Sequence, residues 1–185
     1  MNALPRKILL TATVALFALG CASAPEKAAL REALFEEDYA RFEPLYLAAA
    51  NKNELRREDG GRIPYLVLSL LASDPRFFEL IVQHADPDFP GTDDTTALFD
   101  AVAYCDQARV GVLLAKGADV NYRSSVSGLT PLHMVAVTDC LTLAERLLAA
   151  GADRNAETRD GDRPVDFAIR MGQEAMASRL SSPAK

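Results

Sequence analysis

Two histidines, His84 and His133, are the side chains in this sequence best suited to acid–base or metal chemistry. His133 lies in the stretch GLTPLHMVA, three residues after the hydroxyl group of Thr130. A histidine next to a hydroxyl group can act as a general base, and neutral imidazole is a common zinc ligand. The two histidines are 49 residues apart and no carboxylate stands at ligand spacing, so the sequence does not predict a zinc site.

Four carboxylates are concentrated in the segment DPDFPGTDD, residues 86–94, which has the acid density of a calcium loop. The calcium-loop pattern needs an oxygen ligand before its glycine and a glutamate further on. Here Pro90 precedes Gly91, and no glutamate follows at the required distance. These acids are predicted either to be solvated or to form an acidic contact edge for a basic partner, and both interpretations stay open.

The serines and cysteines lack the neighbours that nucleophilic catalysis requires. Ser124, Ser125 and Ser127 cluster in NYRSSVSG, but no histidine or acid stands in a fixed relation to them. The sequence contains no nucleophile elbow, no phosphate-binding loop and no cysteine pair at metal-ligand spacing. We therefore expect a protein that is not an enzyme and that uses no cofactor and no metal.

Composition narrows the remaining classes to binding and structural roles. The chain has 185 residues, of which 49% are apolar and 25% are charged, so it can bury a sizeable core. Its formal net charge is −6, and no basic run occurs. Nucleic-acid binding needs clustered lysine and arginine to neutralise phosphates, so we expect no nucleic-acid partner.

The first 20 residues have the pattern of a signal peptide. Arg6 and Lys7 precede an apolar run from Ile8 to Gly20, which is shorter than the about 20 residues that span a bilayer. The following ALGC resembles the lipobox of bacterial lipoproteins, although Ala18 stands where leucine is usual. This resemblance implies lipidation of Cys21 after removal of residues 1–20, with residues 21–27 as a short tether.

Two alternatives to a lipoprotein remain, plain secretion and an uncleaved anchor. Cleavage after Ala24 would follow ASA but would place Pro25 just beyond the cut, which signal peptidase tolerates badly. By the sorting rules of the lipoprotein family, Ala22 after the cysteine favours the outer membrane of a Gram-negative cell. We expect an exported protein, anchored by lipid to a membrane and facing the periplasm.

A repeat organises the body of the chain. The segment Thr130–Asn155 aligns without a gap with Thr96–Asn121, at an offset of 34 residues. Ile63–Asp88 lies 33 residues before the latter, and Arg163–Leu180 begins 33 residues after Thr130. Such a period is typical of stacked supersecondary units, each of which needs its neighbours to bury its apolar side.

Each unit has the signals of a helix, a turn and a second helix. Thr130 can cap a helix whose first turn contains Pro131, where a missing N–H costs nothing. Leu132 and Val135 then fall on one helical face. Gly151 is suited to end the second helix because glycine accepts the left-handed conformation found there. The unit is therefore predicted to be two helices followed by an outgoing loop.

The motif TPLHMVA at residues 130–136, with GADVN at 117–121 and GADRN at 151–155, resembles the ankyrin-repeat family. The resemblance implies an all-α solenoid of helix–turn–helix units with finger loops, at about 63–95, 96–129, 130–162 and 163–181. Residues 28–60 are predicted to be a helical N-terminal cap, with helices over Lys27–Arg41 and Phe42–Arg57. In this family the histidine of TPLH bonds the threonine at the helix start, which implies a scaffold role for His133.

Repeat position also bears on Cys105 and Cys140, which lie at the turns between the helices of neighbouring units. Stacked helices are about 10 Å apart, whereas a disulfide needs Cα atoms within about 7 Å. This spacing favours two separate, mostly buried thiols. An offset of one position between the two cysteines, together with export to an oxidising compartment, leaves a disulfide open.

The resemblance implies a monomeric protein-binding module whose partner cannot be read from the sequence. Immunity against a secreted toxin or lipase, and a structural envelope role without a dedicated partner, are the alternatives. Ankyrin stacks bind proteins on a concave face, and Tyr104, Tyr122, Arg123 and Met171 are the preferred anchors because aromatic residues and arginine dominate interface energies. The whole face, carried over by unit position, is predicted to be Phe89, Asp93, Asp94, Tyr104, Tyr122, Arg123, Leu129, Val137, Thr138, Arg159, Asp162, Arg170 and Met171.

Overall fold

The computed structural model describes residues 25–56, 61–91 and 93–182. The predicted signal peptide and the lipidation site at Cys21 lie outside the described residues. Within those ranges the chain forms ten helices and one two-stranded antiparallel sheet. It divides into two compact units, one ending at Asp86 and the other beginning at Pro87.

The unit ending at Asp86 begins with a helical pair, followed by a strand pair and a second helical pair. Helices α1 and α2 are followed by the antiparallel strands β1 and β2, and then by α3 and α4. The bounds are α1 Pro25–Phe35, α2 Tyr39–Ala48, β1 Glu54–Arg56, β2 Arg62–Pro64, α3 Tyr65–Leu71 and α4 Pro75–His84.

The predicted helices of the N-terminal cap are right in number and wrong at their ends. The first helix starts at Pro25, inside the predicted tether, and ends at Phe35. Asp38 caps the second by accepting from the backbone N–H of Arg41, and this helix stops at Ala48. Asn51 Oδ1 then accepts from the Asn53 N–H at 2.8 Å, a local bond that competes with helix continuation. Strand β1 then occupies Glu54–Arg56, where the prediction continued the helix to Arg57, and it pairs with β2.

Aromatic side chains hold α2, α3 and α4 together. The ring of Phe42 lies 5.0 Å from that of Phe77, and the ring of Tyr46 lies 5.5 Å from that of Tyr65, measured between centroids. All four side chains are buried. The Tyr46 hydroxyl donates to the Lys52 carbonyl at 2.9 Å, and burial raises the pKa of Tyr46 and of Tyr65. Edge-to-face packing of this kind adds to the stabilisation from buried area.

The unit from Pro87 onwards stacks three helical pairs, as the repeat predicts. In each pair the two helices pack together, and α7 packs on one side against α5 and on the other against α9. The apolar faces meet in a continuous core that includes Leu98, Leu113, Leu132, Leu147 and Met176. The bounds are α5 Ala97–Ala103, α6 Gln107–Ala115, α7 Pro131–Thr138, α8 Leu141–Ala149, α9 Pro164–Arg170 and α10 Glu174–Ser181. The all-α ankyrin solenoid is thereby confirmed, with one short strand pair in addition.

Finger loops are joined to one another by repeated side-chain to backbone bonds. Asn121 Oδ1 accepts from the Asp153 N–H at 2.8 Å, and Asn121 Nδ2 donates to the Gly151 carbonyl. Asn53 Oδ1 accepts from the Asp86 N–H at the same distance, 33 residues further on. The N-terminal cap therefore carries the same bond as the recognisable repeats, although its sequence has lost most of the motif.

Candidate functional site

His133 is fully used by the scaffold. The Thr130 N–H donates to His133 Nδ1 at 3.1 Å, and the Thr130 hydroxyl lies 2.9 Å from the same nitrogen. Since Nδ1 is the acceptor, the proton resides on Nε2, which donates to the Asp162 carbonyl at 3.1 Å. Burial lowers the pKa of His133, so the ring is neutral at physiological pH. These bonds confirm the predicted scaffold role and leave no nitrogen for acid–base chemistry.

Thr96 is the counterpart of Thr130 in the preceding unit, but its histidine is replaced by Phe99. The Thr96 hydroxyl is buried and has no hydrogen-bond partner among the residues that the structure describes. An unpaired buried hydroxyl costs free energy, whereas a paired one stabilises the helix start. The hydroxyl groups of Thr130 and Thr96, at the same repeat position, therefore have opposite effects on the stability of the fold.

Thr130→Val is expected to lower the free energy of unfolding by about 1–2 kcal/mol because the hydroxyl–imidazole contact is lost. Thr96→Val is the matched control, and its effect is expected to stay within about 0.5 kcal/mol or to be stabilising. Urea titrations of both variants measure the difference. Equal losses in the two variants would contradict the importance of the bond to His133.

Acidic residues of the segment before α5 join the finger loops to one another. Asp88 Oδ1 accepts from the Asp119 N–H at 2.8 Å. Asp94 accepts from the Tyr122 hydroxyl at 3.0 Å and, through its other oxygen, from the Ser125 N–H. No metal-binding cluster occurs among the residues that the structure describes.

The serine cluster forms a turn. Ser124 is buried, and its hydroxyl accepts from the N–H groups of Val126 and Ser127. Gly128 has a φ of 76°, and a Cβ there would come within 2.8 Å of the Arg159 nitrogen. The backbone of this finger therefore approaches the next finger too closely for any side chain at this position.

The predicted binding residues separate into two groups. The first group faces outward at the ends of the inner helices α5, α7 and α9, where Tyr104 is 52% exposed, Val137 36% and Met171 55%. The polar atoms of the second group form hydrogen bonds and ion pairs within the protein. The Tyr122 hydroxyl bonds Asp94, Arg123 Nη2 donates to the Glu157 carbonyl, Arg159 Nη2 donates to the Ser125 carbonyl, and Asp162 pairs with Arg170.

The outward residues lie at matching ends of three consecutive helical pairs. Tyr104, Thr138 and Met171 occupy equivalent positions of three consecutive units, and α7 packs between the other two helices. Val137 precedes Thr138, and Arg170 precedes Met171. We call Tyr104, Val137 and Met171 the apolar row. Isolated exposed apolar residues are ordinary on a protein surface, but a row that crosses three packed helices is a candidate contact surface.

Asp100 lies one helical turn before Tyr104 in α5 and was missed by the sequence prediction. It is half-buried, and its side chain makes no hydrogen bond or ion pair with the described parts of the chain. Burial and then the charge of Asp93 raise the pKa of Asp100 to about 7. The signal for it was present, because the equivalent positions in the next two units are Met134 and Phe167.

The structure joins Cys105 and Cys140 in a disulfide, with Cα atoms 6.1 Å apart. This corrects the expectation of two separate, mostly buried thiols. Cys105 is exposed and has a φ of 55°, and Cys140 is buried at the start of α8. The distance between helix axes does not apply at the turns, where a left-handed residue brings one cysteine towards the other.

None of the helices in the described ranges is long and apolar enough to cross a membrane.

Comparison with known proteins places the repeats in a family context. A family profile described as ankyrin repeats (3 copies) matches residues 66–158 and 98–184. Protein PhlB of Serratia liquefaciens is 32% identical over 127 residues, which are 68% of this chain and 56% of that protein. The BTB/POZ domain and ankyrin repeat-containing protein NPR5 of Oryza sativa subsp. japonica is 36% identical over 111 residues, 60% of this chain and 21% of the relative.

A third relative, the ARF GTPase-activating protein GIT1 of Homo sapiens, is 37% identical over 68 residues, 37% of this chain and 9% of that protein. The chain thus spans about half the length of the first of these relatives, about a fifth of the second and about a tenth of the third. Because these relatives differ in their other domains, the similarity is to their ankyrin repeats.

Proposed function

The chain belongs to the ankyrin-repeat family, and on that premise we propose that it is a non-catalytic protein-binding module held at a membrane through Cys21. The apolar row on α5, α7 and α9 carries the binding part of this proposal. Aromatic and sulfur-containing side chains of this kind are enriched in the cores of protein interfaces. The three helices that carry the row pack directly on one another, so the surface is preorganised, which lowers the entropic cost of association.

Export is supported by the disulfide between Cys105 and Cys140. Disulfides persist in oxidising compartments such as the periplasm and are rare in the cytosol. Together with the lipobox-like ALGC, the disulfide favours a mature protein that begins at Cys21 and faces the periplasm from a membrane, in particular the outer membrane.

Labelled palmitate is expected to be incorporated into the wild-type protein in cells and to be absent from the Cys21→Ser variant. The physical reason is that the acyl chains, rather than charge, must hold an acidic protein at an anionic membrane. Cell fractionation of the same two proteins gives the location. Equal labelling of both would contradict anchoring at Cys21, and label-free wild-type protein in the soluble periplasm would favour plain secretion.

Combined substitution of the apolar row, Tyr104→Ala, Val137→Ala and Met171→Ala, is expected to weaken partner binding about tenfold or more. The partner is obtained by affinity capture from membranes with Cys21 intact, and its affinity is measured on the purified pair. Val112→Ala with Leu141→Ala is the matched control, since both are exposed apolar residues on the outer helices α6 and α8. An equal loss in the control would contradict the assignment of the surface. Recovery of one stoichiometric partner would rule out an unpartnered structural role.

A further inference from the structure

Asp100 departs from the pattern of its own repeat. At this position of the inner helix the next two units have Met134 and Phe167, which are half-buried and apolar. A carboxyl group placed on the same face loses hydration without gaining a partner, so the substitution costs free energy. Residues that lower the stability of a protein without making a stabilising contact are concentrated at functional sites.

No group in the described ranges of the chain bonds to the Asp100 carboxylate. Asp88 and Asp94, in the segment before α5, each accept a backbone N–H from the following finger. Asp100 makes no such bond within the described residues, and the charged group that acts on it, Asp93, has the same sign. The position is therefore electrostatically incomplete, and an external cation would supply the missing partner.

Tyr104 specifies which cation fits best. It follows Asp100 by four residues as the C-cap of α5, where its N–H donates to the Asp100 carbonyl at 3.0 Å, so the two residues lie on one face of this helix end, about 5–6 Å apart at Cβ. A guanidinium group is planar, can donate two parallel N–H bonds to a carboxylate and can stack on an aromatic ring. A lysine ammonium can pair with the carboxylate only as a point charge, without two parallel N–H bonds. The pair Asp100–Tyr104 thus matches arginine.

We propose that Asp100, Tyr104, Val137 and Met171 together bind a segment of a protein partner whose arginine pairs with Asp100 and whose adjacent apolar side chains cover the apolar row. This inference rests on the proposed protein-binding function and names the chemistry of the partner. The net charge of −6 favours the approach of such a basic segment. The segment lies along α5, α7 and α9, with its arginine at the α5 end.

The test is a selection of phage-displayed random peptides on the purified protein, on Asp100→Asn and on the triple variant of the apolar row. All three are used at about pH 8, where the Asp100 carboxyl is ionised. Asp100→Asn keeps the shape of the side chain and removes its charge. Circular dichroism of the three proteins verifies that each is folded.

The expected result is enrichment of arginine next to apolar residues on the wild-type protein, loss of the arginine preference on Asp100→Asn, and loss of these peptides on the triple variant. Peptides that depend on the apolar row but show no arginine preference would overturn the partner chemistry and leave the proposed function standing. Selection of no peptide that depends on the row would overturn both.

A double-mutant cycle then measures the contact itself. Replacing the arginine of the best peptide by citrulline, which is uncharged and of similar shape, is expected to weaken binding to the wild-type protein about tenfold or more. The same replacement is expected to leave binding to Asp100→Asn nearly unchanged. Equal losses on both proteins would place the arginine elsewhere and overturn the inference. Lysine in place of arginine is expected to recover only part of the affinity.

Discussion

Breaking the disulfide between Cys105 and Cys140 is expected to lower the free energy of unfolding by about 4 kcal/mol. The two cysteines are 35 residues apart in sequence, so the bond closes a loop that contains a whole repeat unit. In the chain-entropy account the stabilisation comes from the unfolded chain, which loses freedom when its ends are tied. The bond also ties the turn after α5 to the start of α8, which lie in neighbouring units.

The measurement uses urea titrations of a Cys21→Ser background with and without dithiothreitol, so that a single bond is affected. Thiol counting in denaturant is expected to find no free thiol before reduction and two after it. A Cys105→Ser, Cys140→Ala variant in the same background is the control, because dithiothreitol should not change its stability. Two free thiols before reduction would show that the bond does not form in the protein.

Much of the fold was predictable because local sequence signals in the repeats mark where the helices begin and end and which faces they bury. Proline in the first turn of α7 and α9, helical spacing of leucine and valine, and glycine after α6 and α8 each have a known conformational effect. The N-terminal cap was predicted less well because its Ala, Leu, Glu and Arg composition favours helix throughout. Its second helix begins after the cap at Asp38 and ends before the local bond of Asn51, and such side-chain to backbone bonds set helix boundaries without changing composition.

The candidate surface was predictable only in part. Unit position selected Tyr104, Val137 and Met171 as contact residues, and all three side chains are exposed. Unit position could not show that the polar groups of Tyr122 and Arg123 form hydrogen bonds with residues about one repeat away in sequence. Partners at that separation are set by the stacking of fingers, which no local pattern encodes. Repeat averaging also hides Asp100, since it is notable for differing from its equivalents.

The disulfide, which repeat position left open, and Asp100, which it did not single out, have opposite effects on stability. The disulfide stabilises the unit that carries the apolar row, whereas the half-buried Asp100 destabilises it when ionised. Proteins commonly retain a destabilising group at a binding site and offset its cost elsewhere. On this view the bond between Cys105 and Cys140 compensates for a carboxylate that lies on the neighbouring turn of α5.

Asp100→Asn is expected to raise the free energy of unfolding at about pH 8 by at most about 4 kcal/mol and to have little effect near pH 4. The pKa of Asp100 in the folded protein is about 7, above the value of 3.8 for an unperturbed aspartate. Between these two values the folded protein binds a proton that the unfolded chain does not, so the stability of the wild type falls as pH rises. The penalty is complete above about pH 7, and asparagine removes it because it carries no charge.

Urea titrations of wild type and Asp100→Asn across this pH range measure the difference between them. Asp93→Asn is the informative second variant, because removing the charge of Asp93 is expected to lower the pKa of Asp100 and to stabilise the protein by a smaller amount. A pH-independent difference between Asp100→Asn and the wild type would show that the carboxyl group is solvated in the free protein. If the difference instead follows the titration of Asp100, the cation of a bound arginine would relieve the same penalty, and the partner's affinity for the wild type would exceed its affinity for Asp100→Asn most at high pH.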